Sequence, residues 1–407
     1  MKTKIRFKAV TILPLLFWGC SELLTEAPND NEVLDGQVEG LSSAQARAHI
    51  AGDEAFSELF TPQTGLGPVF NQTSCEGCHP GDGRGHPATN LRRFGKATAS
   101  GFDYMREHGG PQLQDRAIPG YPAEQLPAGL TGLSERGGPI VVGLGYIEAI
   151  PDAAILVNED PNDANGDGIS GRANFVLPPE FLTPGADKIS REGKYLGRFG
   201  RKATAINLLQ QTAGAYLNDI GVTSEFEPIE LFNPVLGNHV GDNVPDPEVS
   251  TETVNNVVFY LQTLRVPSRR NEDDADVLAG ERIFAEIKCA GCHIPEMQTG
   301  PSPIAPLAFQ KAALYSDLLL HDMGAALADN YPEGDASGTE WRTTPLWGLG
   351  NVGNVLGGTP FYLHDGRTSD LSEAIRLHGG EAQAARDRFV NLNESDKAAL
   401  LAFLNSL

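Results

Sequence analysis

Cys75-Glu76-Gly77-Cys78-His79 and Cys289-Ala290-Gly291-Cys292-His293 share one form: two thiols separated by two residues, with a histidine directly after the second. Thiols one short turn apart can bond the two vinyl-derived carbons on one edge of a porphyrin, and the adjoining imidazole then reaches the iron as proximal ligand. The chain has five cysteines, and the two pairs use all of them except Cys20. Cys75, Cys78, Cys289 and Cys292 are therefore read as attachment points for two covalently bound haem c groups, with His79 and His293 as iron ligands. Two C-x-x-C pairs could instead share one zinc ion, or form disulfides in an oxidising compartment. Neither alternative requires a histidine after both pairs.

Before the second motif, Val277, Gly280, Phe284 and Ile287 fall on one helical face, with Asp273 or Asp274 as N-cap. Leu400, Phe403, Leu404 and Leu407 form a similar stripe at the chain end, led by Ser395. Phe70 and Phe284 each stand five residues before the first Cys of their motif, which reads as a weak internal repeat. The stripe Val254, Val257, Val258, Leu261, Leu264 gives the first unit its own closing helix, and it runs into the linker-like Val266-Pro267-Ser268-Arg269-Arg270. Small cytochromes c are built with first and last helices crossing over the haem. The expected fold is thus mainly α, with two tandem cytochrome c-like domains at 45–268 and 269–407. The first is far longer than a minimal cytochrome, so the stretch from about Gln112 to Asn218 is expected to be a long, loop-rich insertion, and such inserts often build a site. With 46 Gly and 28 Pro, loops should run throughout and strands should be few.

At the start of the chain, Lys2, Lys4, Arg6 and Lys8 precede an apolar run from Ala9 to Trp18 that is too short to span a bilayer, and then Gly19-Cys20. This resembles a bacterial lipoprotein signal over residues 1–20 with Cys20 lipidated, although Phe17 replaces the usual Leu; ordinary cleavage near Cys20 is the alternative. Residues 21–44 read as an acidic tether, which places the protein on the periplasmic side of a bacterial membrane, anchored only by lipid. The formal charge of -22 argues against nucleic acid or an anionic bilayer as partner. It suits a soluble electron donor such as a small basic redox protein, and it equally suits plain solubility.

Further stretches carry a resemblance. Gly65-Leu66-Gly67-Pro68-Val69-Phe70-Asn71, the run from Gln112 to Gly120, Gly143 to Pro151, Leu196 to Gly200, Trp341 to Gly348 and Phe361 to Arg367 together are similar to the dihaem oxidoreductase family, labelled thiol oxidoreductases or peroxidases. That family resembles bacterial dihaem cytochrome c peroxidases and MauG-type enzymes. The resemblance implies that His378 stands where those enzymes place a distal Met or Tyr, with Met323 as a competing ligand. A second imidazole would give that haem a low potential, suited to relaying electrons. It implies an acid at Glu148, with Gln112 or Gln114 assisting, for peroxide cleavage at the first haem. It also implies a place for His364 and Trp347 beside the second haem or between the two. His86, after a Gly-rich run, could close onto the first iron. Each of these side chains could equally be ordinary core or pocket lining.

Asp163-Ala164-Asn165-Gly166-Asp167-Gly168-Ile169 matches the first seven positions of an EF-hand loop, which makes Asp163, Asn165, Asp167 and the Ile169 carbonyl candidate calcium ligands. Asn174 stands where the bidentate Glu belongs, so a metal-free turn is the alternative. The leading functional expectation is an oxidoreductase in which one haem meets an oxidant and the other relays electrons. The alternative is an electron carrier with both irons six-coordinate. Oxidation of thiols is a third, and it would have to pass through iron, because haem attachment uses every Cys but Cys20.

Overall fold

The computed structural model describes residues 34, 36–239, 241, 242 and 244–407. The expected signal, Cys20 and most of the expected tether lie outside these residues. Nine α-helices run through the described chain: α1 (Ser43–Ser57), α2 (Leu144–Ala149), α3 (Asp152–Leu156), α4 (Leu208–Ala215), α5 (Thr251–Thr263), α6 (Ala275–Glu286), α7 (Leu371–Arg376), α8 (Gln383–Val390) and α9 (Glu394–Ser406). None is long and apolar enough to cross a membrane.

The long helices start where side-chain oxygens meet their first free N–H groups. Ser42 and Gln45 form a capping box on α1, Ser250 caps α5 and Asp274 caps α6. Asn393, not Ser395, caps α9, so the helix begins two residues earlier than expected.

These helices cross in two pairs, α1 on α5 and α6 on α9, and the crossings are built alike. A Cβ added to Gly52 of α1 would lie 2.1 Å from the Asn256 carbonyl oxygen, and one added to Gly280 of α6 would lie 2.0 Å from that of Ala399. Four residues after each glycine comes a phenylalanine that packs on an aromatic ring of the partner helix. Phe56 meets Tyr260 with ring centroids 5.5 Å apart, and Phe284 meets Phe403 at 5.3 Å. The internal repeat is therefore real but differently aligned. The counterpart of Phe284 is Phe56, nineteen residues before Cys75, because extra chain separates α1 from its motif. Phe70 lies in a short strand instead, Val69–Phe70 paired with Arg116–Ala117.

The expectation of a mainly helical chain is corrected: 31% of it is helix and 14% strand. Glycine and proline cut the helices short, and the extended pieces between them pair locally. The longest strand, Leu91–Thr98, pairs antiparallel with Gly132–Arg136 and Gly101–Asp103. The stretch expected as a loop-rich insertion supplies core instead, with Ile147, Ile150, Ile155, Phe175 and Leu196 buried beside Phe56 and Val254. That core also takes Met297, Leu314, Leu318 and Trp347 from beyond residue 268, while a second core surrounds α6 and α9. The tether reading does not hold up to residue 44, since Val38 donates to the Thr263 carbonyl at 2.8 Å and is buried against Ile304 and Leu307.

Gly280→Ala should lower stability by about 1–3 kcal/mol, the usual cost of overpacking. Gly214→Ala, in α4 with only the Asn218 amide nitrogen near its Cβ position, should be neutral or slightly stabilising. Chemical denaturation of the two variants makes the comparison; equal stabilities would contradict the close crossing.

Candidate haem centres

Both C-x-x-C-H stretches fold into the same turn. The first cysteine's carbonyl accepts from the second cysteine's amide, at 3.0 Å in the Cys75 turn and 3.3 Å in the Cys289 turn, and from the histidine's amide at 3.0 Å in both. Lys288 enters the second turn in the left-handed region, at φ 73°. The four thiols are free, and burial pushes Cys75, Cys78 and Cys289 up to about 12. No cluster among the described residues brings the two pairs around one metal ion.

Each histidine is held by a main-chain carbonyl. His79 Nδ1 donates to the Pro139 oxygen at 2.7 Å and His293 Nδ1 to that of Tyr315 at 2.8 Å. A donating Nδ1–H leaves Nε2 as a lone-pair nitrogen, the form a metal takes. Burial lowers both imidazoles to about 4, so they are neutral at neutral pH. A phenylalanine stands beside each ring, Phe56 at 6.2 Å from His79 and Phe284 at 6.3 Å from His293, centroid to centroid.

A cavity of about 730 Å³ opens at the second turn, and its lining includes Cys289, Cys292 and His293. Its walls are largely apolar, with Phe284, Leu346, Ile375 and Leu400 among them. His378 and Met323 both line it. His378 donates Nδ1 to the Ala374 carbonyl at 2.8 Å, the anchoring that holds the two motif histidines, and burial lowers its pKa. His321 also lines the cavity, but it sits 2.8 Å from both Asp317 and Glu381. Burial opposes its charge, and those carboxylates override burial and push it up to about 12.

The polar part of this cavity was not foreseen. Arg84, Arg201 and Arg342 all line it and are buried. Burial, then the other guanidiniums, holds Arg201 well below its ordinary range, and burial lowers Arg84 and Arg342 to about 10. Arg84 Nε is buried without a hydrogen-bond partner. Clustered buried cations call for anions, and the propionates of a haem are such anions. The residues present thus fit the group: thiols and imidazole at one place, apolar walls, guanidiniums at another. No periodic signal in the sequence marks these arginines.

His364 and Trp347 line the same cavity. His364 stacks on Trp341, with centroids 3.7 Å apart and planes at 16°, and burial keeps it neutral. One segment reaches both centres. The Pro139 carbonyl holds His79 while Pro139 itself lines the second cavity, and Gly137 accepts from Arg201 at 2.8 Å and donates to the His364 carbonyl at 2.9 Å.

Around the first turn, α4 continues into a π-helical turn, Tyr216–Ile220, which exposes the Asn218 carbonyl to two side chains. Gln112 and Gln114 each donate to it at 3.0 Å, and Gln112 also reaches Asp219 Oδ1 at 2.7 Å. Burial, and then the Asp219 charge, raise both thiols of the first motif, so this cluster is electrostatically close to it. Gln114 donates its main-chain N–H to Glu124 Oε2 at 2.7 Å; Glu124 Oε1 is buried without a partner, and burial pushes this acid up to about 8.

Glu124 was missed, and Glu148 does not hold the place expected of it. Glu148 accepts from the Leu208 N–H at 2.8 Å and from Gln262 Nε2 at 2.5 Å, bracketing α4 to α5 with both oxygens engaged. His86 is also corrected: it is exposed, accepts from the Ala88 N–H at 3.0 Å and meets Phe361 edge-on. In the expected calcium loop, Asp163, Asn165 and Asp167 accept from Gly168, Asp167 and Ile169 N–H groups, and among the described residues no third carboxylate joins Asp163 and Asp167. Ile169 packs its side chain against Gly291 of the second turn.

Two matching thiol and imidazole turns under crossed helices, one opening on a cavity with buried arginines, define a protein built for two haems. The chain belongs to the di-haem oxidoreductase family, whose model, described as "Di-haem oxidoreductase, putative peroxidase", matches residues 130–407. The first motif precedes the matched stretch. No curated protein matches. Among solved structures, a chain of Kuenenia stuttgartiensis hydrazine synthase is similar at 15% identity and a TM-score of 0.39, over 100% of this chain and 99% of that one. A MauG-like protein associated with microbial copper homeostasis is similar at 15% identity and a TM-score of 0.39, over 94% of each chain.

The raised acid makes stability depend on pH. The folded protein holds a proton on Glu124 up to about pH 8, whereas the unfolded chain releases it near the ordinary value of 4.5. Its contribution is therefore fully present below pH 4.5 and lost as pH rises toward 8. Urea unfolding at pH 5 and pH 8 should show a smaller drop for Glu124→Gln than for the wild type; equal drops would place the carboxyl in solvent.

Proposed function

We propose that this protein is an exported, lipid-anchored dihaem c-type cytochrome that acts as a peroxidase-like oxidoreductase. The first centre meets the oxidant and the second relays electrons from a soluble donor, with a small basic redox protein suiting the chain's acidity. Bound haem supplies a redox-active iron whose sixth position is either filled by a side chain or open to an oxidant.

The observation that carries this reading is the contrast between the two centres. At the second, His293 and His378 line one cavity and are anchored alike, which supports a closed, electron-relaying iron. At the first, Gln114 links the Asn218–Asp219 turn, whose charge acts on the thiols, to a raised acid, Glu124, with one oxygen fixed by the Gln114 N–H and the other free. A carboxyl pushed up to about 8 is protonated near neutral pH, so it can give a proton to one oxygen of a bound peroxide and take one from the other. Gln112 and Gln114, tied to Asn218, hold that acid's surroundings rigid. The segment from Gly137 to Pro139 joins the two centres, and Trp341 stacked on His364 adds an aromatic path along the second.

Electron paramagnetic resonance of the purified holoprotein tests the contrast. A high-spin ferric signal that cyanide abolishes should stand beside one low-spin signal, and His378→Gly should convert the latter. Two low-spin signals with no open site on half-reduction would instead establish an electron carrier. Glu124→Gln should cut peroxide turnover by about 10²–10⁴. Glu148→Gln should leave turnover within a few fold while lowering Tm. The double variants Cys75→Ser/Cys78→Ser and Cys289→Ser/Cys292→Ser should each halve pyridine haemochrome absorbance per chain; unchanged absorbance would refute thioether attachment.

A further inference from the structure

Among the acids of the loop between the π-helical turn and α5, Glu230, Asp242, Asp246 and Glu248 are not used by the haem centres. One ligand oxygen from each of Glu230, Asp246 and Glu248 lies within 4.8 Å of the other two. Carboxylates this close repel one another, and removal from water worsens the repulsion. The charges acting on Glu230 are those of Glu248, Asp246 and Asp242, all of the same sign.

Local donors answer these oxygens only in part: the Thr223 N–H donates to Glu248 Oε2 and the Val244 N–H to Asp242 Oδ1, both at 2.6 Å. Thr223 Oγ1 lies against both Asp246 Oδ1 and Glu248 Oε2, yet a hydroxyl has one proton to donate. Among the described residues, Glu230 Oε1 accepts only a long bond from the Asp242 N–H, at 3.4 Å. Among the described residues, Glu230 Oε2, Asp242 Oδ2 and Glu248 Oε1 are buried with no hydrogen-bond partner. Glu230 is 7% exposed, so bulk water does not serve its free oxygen.

We propose that Glu230, Asp246 and Glu248, with Asp242 as a fourth donor, bind one calcium ion. The donors are all hard oxygens, which excludes a preference for zinc or copper. Calcium–oxygen distances of about 2.3–2.6 Å let opposed ligands stand about 5 Å apart, which spans the cluster. Magnesium needs distances of about 2.0–2.1 Å and gives up its water reluctantly, so it fits less well.

The ion would tie down a loop that supports the first centre. Tyr121 donates its hydroxyl to the Gly241 carbonyl at 3.0 Å, and Asn233 Nδ2 donates to the Pro122 carbonyl at 3.1 Å, two residues before Glu124. Glu248 packs on Gly65, ten residues before Cys75. Filling the site would fix the backing of both segments, whatever reaction the haems perform.

Holoprotein stripped with EGTA and titrated with calcium chloride by calorimetry tests this. Glu230→Gln and Asp246→Asn should each lose one bound equivalent per chain, or bind it at least tenfold more weakly, and lose the calcium-dependent rise in Tm. Asp163→Asn, in the other acidic loop, should keep that equivalent, and magnesium chloride should not replace calcium. In EGTA, Glu230→Gln should melt no lower than the wild type, because a repelling charge has gone. The proposal fails if the wild type binds no calcium, if both variants bind as the wild type does, or if only Asp163→Asn loses the equivalent. It also fails if Glu230→Gln melts below the wild type in EGTA, because the side chain would then stabilise the loop without an ion.

Discussion

A hydrogen bond from an imidazole Nδ1–H to a main-chain carbonyl recurs at His79, His293 and His378, and the remaining organisation depends on it. It sets the tautomer, orients the ring and leaves Nε2 as a lone pair. For His79 and His293 the carbonyl lies 60 and 22 residues away, so the bond also links separate pieces of chain, whereas for His378 it is local. His79 is joined to the segment before α2, His293 to the strand region after its motif, and His378 to the last turn of α7.

Placing such rings inside apolar walls requires that charge be handled elsewhere. The second cavity gathers Arg84, Arg201 and Arg342 with few acids to balance them, and Arg201 also touches the segment that anchors His79. The acids gather separately, in the loop before α5, with oxygens that lack partners. Buried charge without a counterpart destabilises a fold unless a ligand supplies the opposite sign. The protein thus has a cationic centre complementary to propionates and an anionic one complementary to calcium.

Helices α5, α6 and α9 were legible in the sequence because apolar residues recur there at helical spacing, whereas α1, which carries Gly52 and Phe56, was not read from it. The same periodicity misled at Phe70, where counting back from the motif assumed equal spacing in both units. Extra chain between α1 and Cys75 moved the true counterpart to Phe56, and only the ring contacts with His79 and Tyr260 reveal this. The sequence left Glu148 open between a catalytic and a structural acid because its two hydrogen-bond donors, Leu208 and Gln262, are 60 and 114 residues away. Glu124 gave no signal because its role depends on the Gln114 backbone and on being left with one oxygen unserved.

Sequence alone determined what contiguous residues can do. A C-x-x-C-H stretch carries its thiols and imidazole within one turn, so its chemistry survives any wider arrangement, and the helix caps are equally local. Tertiary structure decided everything that needs distant groups to converge: the stack of Trp341 on His364, the arginines in one cavity, the acid beside Gln114 and the segment shared by both centres. Such convergence depends on chain return and burial, and neither leaves a periodic trace in the order of the residues.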